Sequence, residues 1–346
     1  MSWTRAGSDA RSRFLAGLGG VALLWLPACG GQQASPPPQS NVIKMAAPEG
    51  VAIASDGRVY FSDFGGNRVF ELQPNGKLRV VAGTGESGEA GDGGPAVAAT
   101  LKGPAGLAFD RDGNLFVADH DGQRIRRIDS QGVITTATGS GDAPFNYPVG
   151  LAFDRTGAMY VGDEGDDQLR RIDVSGSLTV MDTSAIPGPA VKPGYLIFDS
   201  ADNLYVAGRA NVQRTGCRIV RITSAGSMKV IAGTGTCGFT GDSGPAIAAQ
   251  LDDPNGLAFD SAGNLYFADS NNQRVRRIDG NGVITTVAGT GAAGDKGDNG
   301  AGTKAELASP FGIAMAPGDL LYIAEGDGKR VRLLNLSNDI ITTAAG

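Results

Sequence analysis

The sequence predicts an all-β fold, a six-bladed β-propeller with four antiparallel strands in each blade. The first observation is a Pro-x-Gly tripeptide, with Tyr195 in place of the glycine in the fourth copy; the copies begin at Pro48, Pro104, Pro148, Pro193, Pro254 and Pro310. The second is their spacing of roughly 40 to 60 residues, a period typical of propellers and solenoids. The third is that each unit contains four short apolar or alternating runs separated by glycine-containing turns.

The second unit shows how these runs predict strands. Residues 106–110 and 115–119 are almost wholly apolar, which indicates inner strands buried on both faces. Residues 124–129 and 133–138 alternate with Arg and Thr, which indicates outer strands. Because every unit has its own fourth run, the ring can close without borrowing a strand, and residues 41–45 are a candidate extra strand on the last blade.

The repeats resemble one known family. Residues 254–279 read PNGLAFDSAGNLYFADSNNQRVRRID, which is similar to the NHL repeat, and the resemblance covers residues 48–346. WD repeats fit poorly, since their blades use a structural tryptophan and both tryptophans, Trp3 and Trp25, precede the repeats. The resemblance implies a propeller that binds protein or glycan, and it names no ligand.

The N-terminal region has the layout of a bacterial export signal. An arginine-containing start and the apolar residues 14–28 precede Cys29, and the apolar stretch is too short to span a bilayer. Leu26-Pro27-Ala28-Cys29 resembles a lipobox, in which the cysteine is lipidated, although Pro27 departs from the usual small residue. A plain cleaved signal and an uncleaved anchor are the alternatives.

This layout predicts three segments: a signal peptide at residues 1–28, a lipid-attachment cysteine and flexible tether at 29–41, and the propeller at 42–346. The tether is polar and proline-rich, so it cannot bury a core. We expect an exported protein, lipid-anchored to the bacterial membrane and facing the periplasm or cell exterior.

Composition restricts the partners. The chain has 30 Lys and Arg against 36 Asp and Glu, a formal net charge of −6, so nucleic acid is not an expected partner. The membrane is expected to be contacted only through the lipid anchor, and the protein is expected to be a monomer.

Glycine-rich stretches such as residues 83–88 match a dinucleotide fingerprint. They follow fourth strands and recur between units, so they indicate turns, and no cofactor is expected.

Cys217 and Cys237 remain after Cys29 and are predicted to form a disulfide. Cys217 begins the third strand of the fourth unit and faces about Thr234 across the hairpin, close to Cys237. Free thiols are the alternative.

The loops after the fourth strands are long and share one face with the turns between the second and third strands. Function collects on such loops, so this face is the predicted binding face, with these candidates: Phe64, His120, Glu164, Asp166, Arg209, Asn271 and Asp327. Residues 91–96 and 241–246 repeat one another, which favours packing between blades over binding for that part of the loops.

An acidic residue followed five positions later by Arg recurs across the second-to-third turn. The pairs are Asp63 with Arg68, Asp119 with Arg124, Asp269 with Arg274, and Glu325 with Arg330. This recurrence predicts structural ion pairs. Blades three and four, with Gln168 and Gly208 at these positions, are expected to lack the brace.

His120 is the only histidine, so a zinc site built on several histidines is not expected. No catalytic residue and no metal ligand is assigned. The predicted function is a cell-envelope binding or scaffold module for a protein or carbohydrate partner. The alternative is a metal-dependent, lactonase-like hydrolase or lyase with a site at the channel mouth, and a purely structural spacer is the third possibility.

Overall fold

The computed structural model describes residues 44–139, 145–186, 188, 191–209, 211 and 213–346. Six antiparallel sheets follow one another along the chain, and within each sheet the four main strands neighbour one another in chain order. The sheets are the blades of a ring, so the predicted six-bladed β-propeller is confirmed. The predicted signal peptide, Cys29 and tether lie outside the described residues.

The first three blades contain β1 (Pro48–Ile53), β2 (Val59–Asp63), β3 (Arg68–Leu72), β4 (Leu78–Ala82), β5 (Pro104–Phe109), β6 (Leu115–Asp119), β7 (Arg124–Ile128), β8 (Ile134–Thr138), β9 (Pro148–Phe153), β10 (Met159–Asp163), β11 (Gln168–Ile172) and β12 (Leu178–Val180). The last three contain β13 (Lys192–Phe198), β14 (Leu204–Arg209), β15 (Thr215–Ile222), β16 (Met228–Thr236), β17 (Pro254–Phe259), β18 (Leu265–Asp269), β19 (Arg274–Ile278), β20 (Ile284–Ala288), β21 (Gly300–Ala301), β22 (Pro310–Ala316), β23 (Leu320–Glu325), β24 (Arg330–Asn335) and β25 (Ile340–Ala345). Single 3₁₀ turns occupy Ala96–Ala98, Ala246–Ala248, Ser270–Asn272 and Gly302–Lys304.

The core consists of six apolar layers, one between each pair of neighbouring blades. In four of these layers, an aromatic ring near the end of a first strand packs edge-on against a ring from the second strand of the preceding blade. The pairs are Tyr60–Phe109, Phe116–Phe153, Tyr160–Phe198 and Tyr205–Phe259, with centroids 4.9 to 5.1 Å apart. Such edge-to-face contacts add to the stabilisation from area burial.

The glycine of Pro-x-Gly allows the first strands to approach one another around the axis. A Cβ atom on Gly50 would lie 2.3 Å from the carbonyl oxygen of Ala105, and one on Gly312 would lie 2.1 Å from that of Glu49. A side chain does not fit at these positions, which explains why the motif repeats. The six first strands therefore form a narrow neck around a central channel.

Ring closure brings the first and sixth blades together, and each has its own four main strands. The prediction that residues 41–45 add a strand to the last blade is wrong for the described part of that segment. Lys44 and Met45 are outside any strand, and the short extra strand of the sixth blade is β21, paired with β25. Met45 is instead buried in the closing layer with Val331 and Ala345, because an apolar side chain there seals the last interface.

Ile43–Gly346 form one compact unit. Among the described residues there is no helix with the length and apolar character needed to cross a membrane.

Candidate binding site at the channel mouth

The turns after the second strands and the residues before the first strands lie at the same end of the ring. In each of five blades, a turn amide donates to the carbonyl just before the first strand, as Phe64 does to Ala47 at 2.9 Å and Glu164 to Tyr147 at 3.1 Å. The two sets of residues therefore share one face, as the sequence predicts. We call this end of the ring the channel mouth. It consists of the residue after each second-strand acid, the residue before each Pro-x-Gly motif, the middle residue of that motif, and Tyr195.

Two side chains from opposite blades meet at the centre of the mouth. Tyr195, in blade four, replaces the motif glycine, and its hydroxyl donates to Oε1 of Glu49, in blade one, at 3.4 Å. Burial raises the pKa of Glu49 to about 7; Arg209 opposes this shift and Glu164 adds to it. Burial, followed by the charge of Glu49, raises the pKa of Tyr195 well above its usual value. The pair spans the neck and closes the channel at this end.

Arg209 organises the charges around this pair. Its guanidinium lies 2.5 Å from a carboxylate oxygen of Glu164 and 3.3 Å from one of Asp253, and it stacks 5.7 Å from the ring centroid of Phe311. Burial alone would lower the pKa of Arg209, but Asp253 and Glu164 raise it above its usual value. The guanidinium therefore stays charged and joins blades three, four, five and six.

A row of aromatic side chains completes the other half of the mouth. The Phe64 ring packs edge-on against His120 with centroids 5.4 Å apart, and His120 lies 4.9 Å from Tyr147. His120 Nδ1 is 2.8 Å from Oδ1 of Asp121. Tyr147 is 43% exposed and is the outermost ring of the row. We call Phe64, His120 and Tyr147 the aromatic row.

The sequence-predicted candidates thus divide into two groups. Phe64 contacts His120, and Glu164 contacts Arg209, all at the mouth. Three others are exposed and have other partners than Arg209 or the aromatic row: Asp166 accepts from Asn146 and Arg170, Asn271 donates to Asp252, and Asp327 accepts from Ser309.

The prediction is one residue out of register in the last two blades. Counted from the second-strand acid, the equivalents of Phe64 and His120 are Ser270 and Gly326. The buried Ser270 hydroxyl donates to the Pro310 carbonyl at 2.5 Å, so it braces two blades at the mouth.

Sequence reasoning missed five residues of the mouth. Glu49 and Phe311 are middle residues of Pro-x-Gly, Tyr195 is the substituted glycine, and Tyr147 and Asp253 immediately precede the motif. The sequence feature that could have identified them is variation at fixed positions of the repeat. A position whose residue differs between otherwise similar blades is not required for packing and can contribute to a binding site.

The acid–Arg pairs are only partly as predicted. Arg124 lies 3.1 Å from Asp119 and Arg330 lies 2.7 Å from Glu325. The pairs Asp63–Arg68 and Asp269–Arg274 do not form, because Arg68 and Arg274 instead donate to the carbonyls of Thr84 and Thr290 in the following loops. Asp63 accepts from the backbone amides of Ala46 and Ala47.

A different spacing gives the recurring brace, an acid followed seven positions later by a buried Arg. The pairs are Asp119–Arg126, Asp163–Arg170, Asp269–Arg276 and Glu325–Arg332, at 2.7 to 3.8 Å. Blade three has Gln168 at the five-residue position and so lacks that pair, but Asp163 and Arg170 brace it at the seven-residue spacing. In blade four Gly208 occupies the position of the acid, so this pair is missing there.

The repeated loop motif serves packing. Asp92, Asp242 and Asp298 of three such loops reach into the next blade and lie 2.6 to 2.7 Å from the guanidinium groups of Arg126, Arg276 and Arg332. These arginine side chains are fully buried. The loop carboxylates therefore compensate buried charges between neighbouring blades, consistent with the predicted packing role.

Cys217 and Cys237 form the predicted disulfide. Cys217 lies on β15, opposite Gly235 on β16, one residue from the predicted position. The bridge fixes the start of the loop that ends at Asp253, whose amide is 3.5 Å from Cys217 Sγ. Across the described residues, the one cluster of three His, Cys, Asp or Glu ligand atoms within 4.8 Å of one another is Cys217, Cys237 and Asp252, and it contains this disulfide.

On the other side of Tyr195 the channel contains a cavity. This cavity of about 420 Å³ is lined by all six first strands, with Leu107, Leu151, Leu257 and Ile313 among its walls and Tyr195 at its inner end. The channel therefore has two unlike ends, one charged and aromatic, the other largely apolar.

Comparison with known proteins places the chain among propellers of one family. The model of the Teneurin NHL domain family matches residues 71–146 and 142–295. Human Teneurin-4 is 28% identical over 320 residues, covering 83% of this chain and 10% of Teneurin-4. The chain thus spans about a tenth of the length of the curated teneurins it matches.

Two solved structures share the fold at low identity. An auxiliary nutrient binding protein from Bacteroides thetaiotaomicron is similar with a TM-score of 0.65 and 15% identity, over 87% of this chain and 70% of that one. A gluconolactonase from Xanthomonas campestris is similar with a TM-score of 0.58 and 17% identity, over 87% of each. On the family match and the six-bladed ring together, the chain belongs to the NHL-repeat β-propeller family described by the Teneurin NHL domain.

Proposed function

We propose that this chain is a cell-envelope binding or scaffold module that holds a protein or glycan partner at the channel mouth. One observation carries the proposal: the Arg209 cluster with Glu164 and Asp253, the Glu49–Tyr195 pair and the aromatic row converge at one end of the ring. Converging polar groups beside exposed aromatic surface are typical of ligand sites. The rest of the scaffold repeats from blade to blade, whereas these residues do not.

The charge arrangement favours binding over the metal-dependent alternative. A carboxylate metal site needs oxygens that are available to a cation, and here Glu164 and Asp253 are both engaged by Arg209. The fixed guanidinium also repels a second cation at the same place. The fold does not distinguish a binding function from an enzymatic one, since both binding proteins and enzymes have β-propeller folds.

Export and lipid anchoring are part of the proposal. The leader sequence with Cys29 supports them, and the disulfide is in keeping with an oxidising compartment. If Cys29 is lipidated, a Cys29→Ala variant moves from the detergent phase to the aqueous phase on phase separation, and equal partitioning of variant and parent argues against an anchor.

The binding proposal is tested by probing peptide and oligosaccharide arrays with the full chain. We expect Arg209→Gln and Glu164→Gln each to weaken capture at least tenfold. Arg111→Gln, an exposed arginine in the turn between β5 and β6 on the opposite face, is the matched control and leaves capture unchanged. Thermal melting of each variant checks that the propeller remains folded.

Two outcomes contradict the proposal. Capture at parent strength by both mouth variants would show that the ligand lies elsewhere. Hydrolysis of lactones or esters that is abolished by a chelator would favour the enzyme alternative instead.

A further inference from the structure

We infer that the ligand of the mouth is a hydroxyl-rich glycan without negative charges, packed on the aromatic row and hydrogen-bonded by the Arg209 cluster. This inference rests on the proposed binding function and adds the chemical class of the ligand. It depends on three features of the mouth: the row of rings, the planar polar groups beside it, and the sign of the charge.

The aromatic row presents its ring surface mainly through the exposed Tyr147, with the His120 ring tilted by 33° beside it and the Phe64 ring edge-on to His120. Phe64, His120 and Tyr147 come from three successive blades, and their centroids are separated by 5.4 and 4.9 Å. A sugar presents C–H groups on one ring face and hydroxyls around its edge, so it can bury the C–H face on an aromatic ring and keep its edge free for hydrogen bonds. The exposed Tyr147 ring therefore suits stacking against one sugar ring, and His120 and Phe64 extend the aromatic surface beside it.

The planar carboxylate and guanidinium groups of Glu164, Arg209 and Asp253 form the second part of the mouth. The Glu164 amide donates to the Tyr147 carbonyl at 3.1 Å, so Glu164, which pairs with Arg209, is the backbone neighbour of the last residue of the row. A carboxylate offers two acceptor oxygens and a guanidinium offers paired donors. Neighbouring sugar hydroxyls can donate to the first and accept from the second, so both partners of the ion pair can contact the same glycan.

The balance of charge selects against anionic glycans. Acidic groups outnumber basic ones at the mouth: Glu49, Asp121, Glu164 and Asp253 lie there with Arg209, which pairs with Glu164 and Asp253, and with Lys192, which pairs with Asp167. The whole chain also carries a net charge of −6. A uronate or sulfated sugar would therefore meet an excess of like charge.

The same face is poorly suited to a protein partner. Protein hot spots are usually clustered large side chains in a fully desolvated patch. Among the described mouth residues, Tyr147 is the only large apolar side chain in the exposed class, and ionisable groups surround it. The first strands also face one another at the neck, so they offer no free edge for a peptide strand.

The test measures binding of neutral hexasaccharides of glucose, N-acetylglucosamine and xylose to the full chain by calorimetry, with a hexagalacturonate as the anionic probe. We expect at least one neutral hexasaccharide to bind and the anionic probe not to bind. Tyr147→Ala should weaken binding about tenfold, since it removes the exposed ring of the platform. Val174→Ala, which truncates an exposed apolar side chain in the turn between β11 and β12 on the opposite face, is the control and should leave binding unchanged.

The possible failures are distinguishable. If no neutral hexasaccharide binds, or if the anionic probe binds more tightly, the glycan inference is wrong; peptide capture that still depends on Arg209 would then leave the proposed function standing. If hexasaccharides bind but neither Tyr147→Ala nor Arg209→Gln changes their affinity, the site is not at the mouth and both proposals fall.

Discussion

At the scale of single residues, Tyr195 shows how one substitution in a repeat makes a site. The other first strands carry glycine at this position because a Cβ atom would collide with the neighbouring backbone, as at Gly50 and Gly312. Tyr195 instead fills the neck with its ring, and its hydroxyl reaches Glu49 on the opposite blade. The result is a buried, partly uncompensated carboxyl group on the axis of the ring.

Glu49 should make the protein less stable as pH rises. Its pKa is about 7 in the folded protein against an ordinary 4.5, so the folded state binds the proton more tightly than the unfolded chain does. The resulting stabilisation is fully present below about pH 4.5 and is lost as pH rises through 7. In Glu49→Gln the fall in unfolding free energy between pH 5 and 8 should be smaller by roughly 1 to 3 kcal/mol.

Denaturant titrations at several pH values measure this difference. Glu86→Gln, a change at an exposed loop position, is the control and should keep the parent slope. A parent-like slope in Glu49→Gln would mean that Glu49 is ionised in the folded protein throughout this range.

The sequence does not predict which residues lie at the mouth where the backbone conformation determines the direction of a side chain. Tyr147 and Asp253 precede a proline and have φ angles of 63° and 56°, in the left-handed region. That conformation is uncommon for a non-glycine residue, and nothing in the repeat pattern predicts that it places these residues at the mouth. Asn271 and Asp327 were predicted at the mouth but each lies one residue beyond the mouth position, which Ser270 and Gly326 occupy. The sequence of a turn does not show in which direction each successive side chain points.

At the scale of elements, the braces between strands follow from antiparallel register. Asp119 lies opposite Arg124, and Arg126 is two residues further along on the same face. One acid can therefore contact a direct or a diagonal partner. The sequence predicts the direct pair in four blades, but two of these arginines turn to loop carbonyls, because the loops after their fourth strands lie within reach.

Removing a loop carboxylate should destabilise the ring. Asp242 lies 2.7 Å from the fully buried Arg276 and accepts from the Thr286 hydroxyl. Asp242→Asn keeps the shape but loses the charge-assisted bonds, so we expect a loss of about 1.5 to 3 kcal/mol in unfolding free energy. Chemical denaturation measures it, and Asp112→Asn, at an exposed turn position, should change the value by less than about 0.5 kcal/mol.

The disulfide should contribute to stability through the loop it closes. Cys217 and Cys237 are 20 residues apart, and a loop of this size corresponds to about 3 kcal/mol in the chain-entropy model. The Cys217→Ser/Cys237→Ser double variant should therefore unfold at lower denaturant concentration than the oxidised parent. Reduction of the parent should reproduce the shift, and identical midpoints for all three samples would show that the bridge does not stabilise the fold.

At the scale of the whole molecule, the ring could be predicted from sequence but its mouth could not. The repeat period and the four runs per unit determine a six-bladed propeller, because each unit must bury its faces against its neighbours. The mouth depends on side chains that the ring brings together from distant parts of the chain: Glu49 and Tyr195 are 146 residues apart. No local pattern reports such a contact, so only the outer candidates in turns, such as Glu164 and Arg209, were accessible to sequence reasoning.

The most direct measurement of the central claim is hydrogen–deuterium exchange of the full chain with and without the tightest-binding ligand from the arrays. We expect slower exchange in the segments of the mouth, around Glu49, His120, Tyr147, Glu164 and Arg209, and unchanged exchange in the turns between first and second strands on the opposite face. Protection confined to those opposite turns or to the outer fourth strands would contradict the claim.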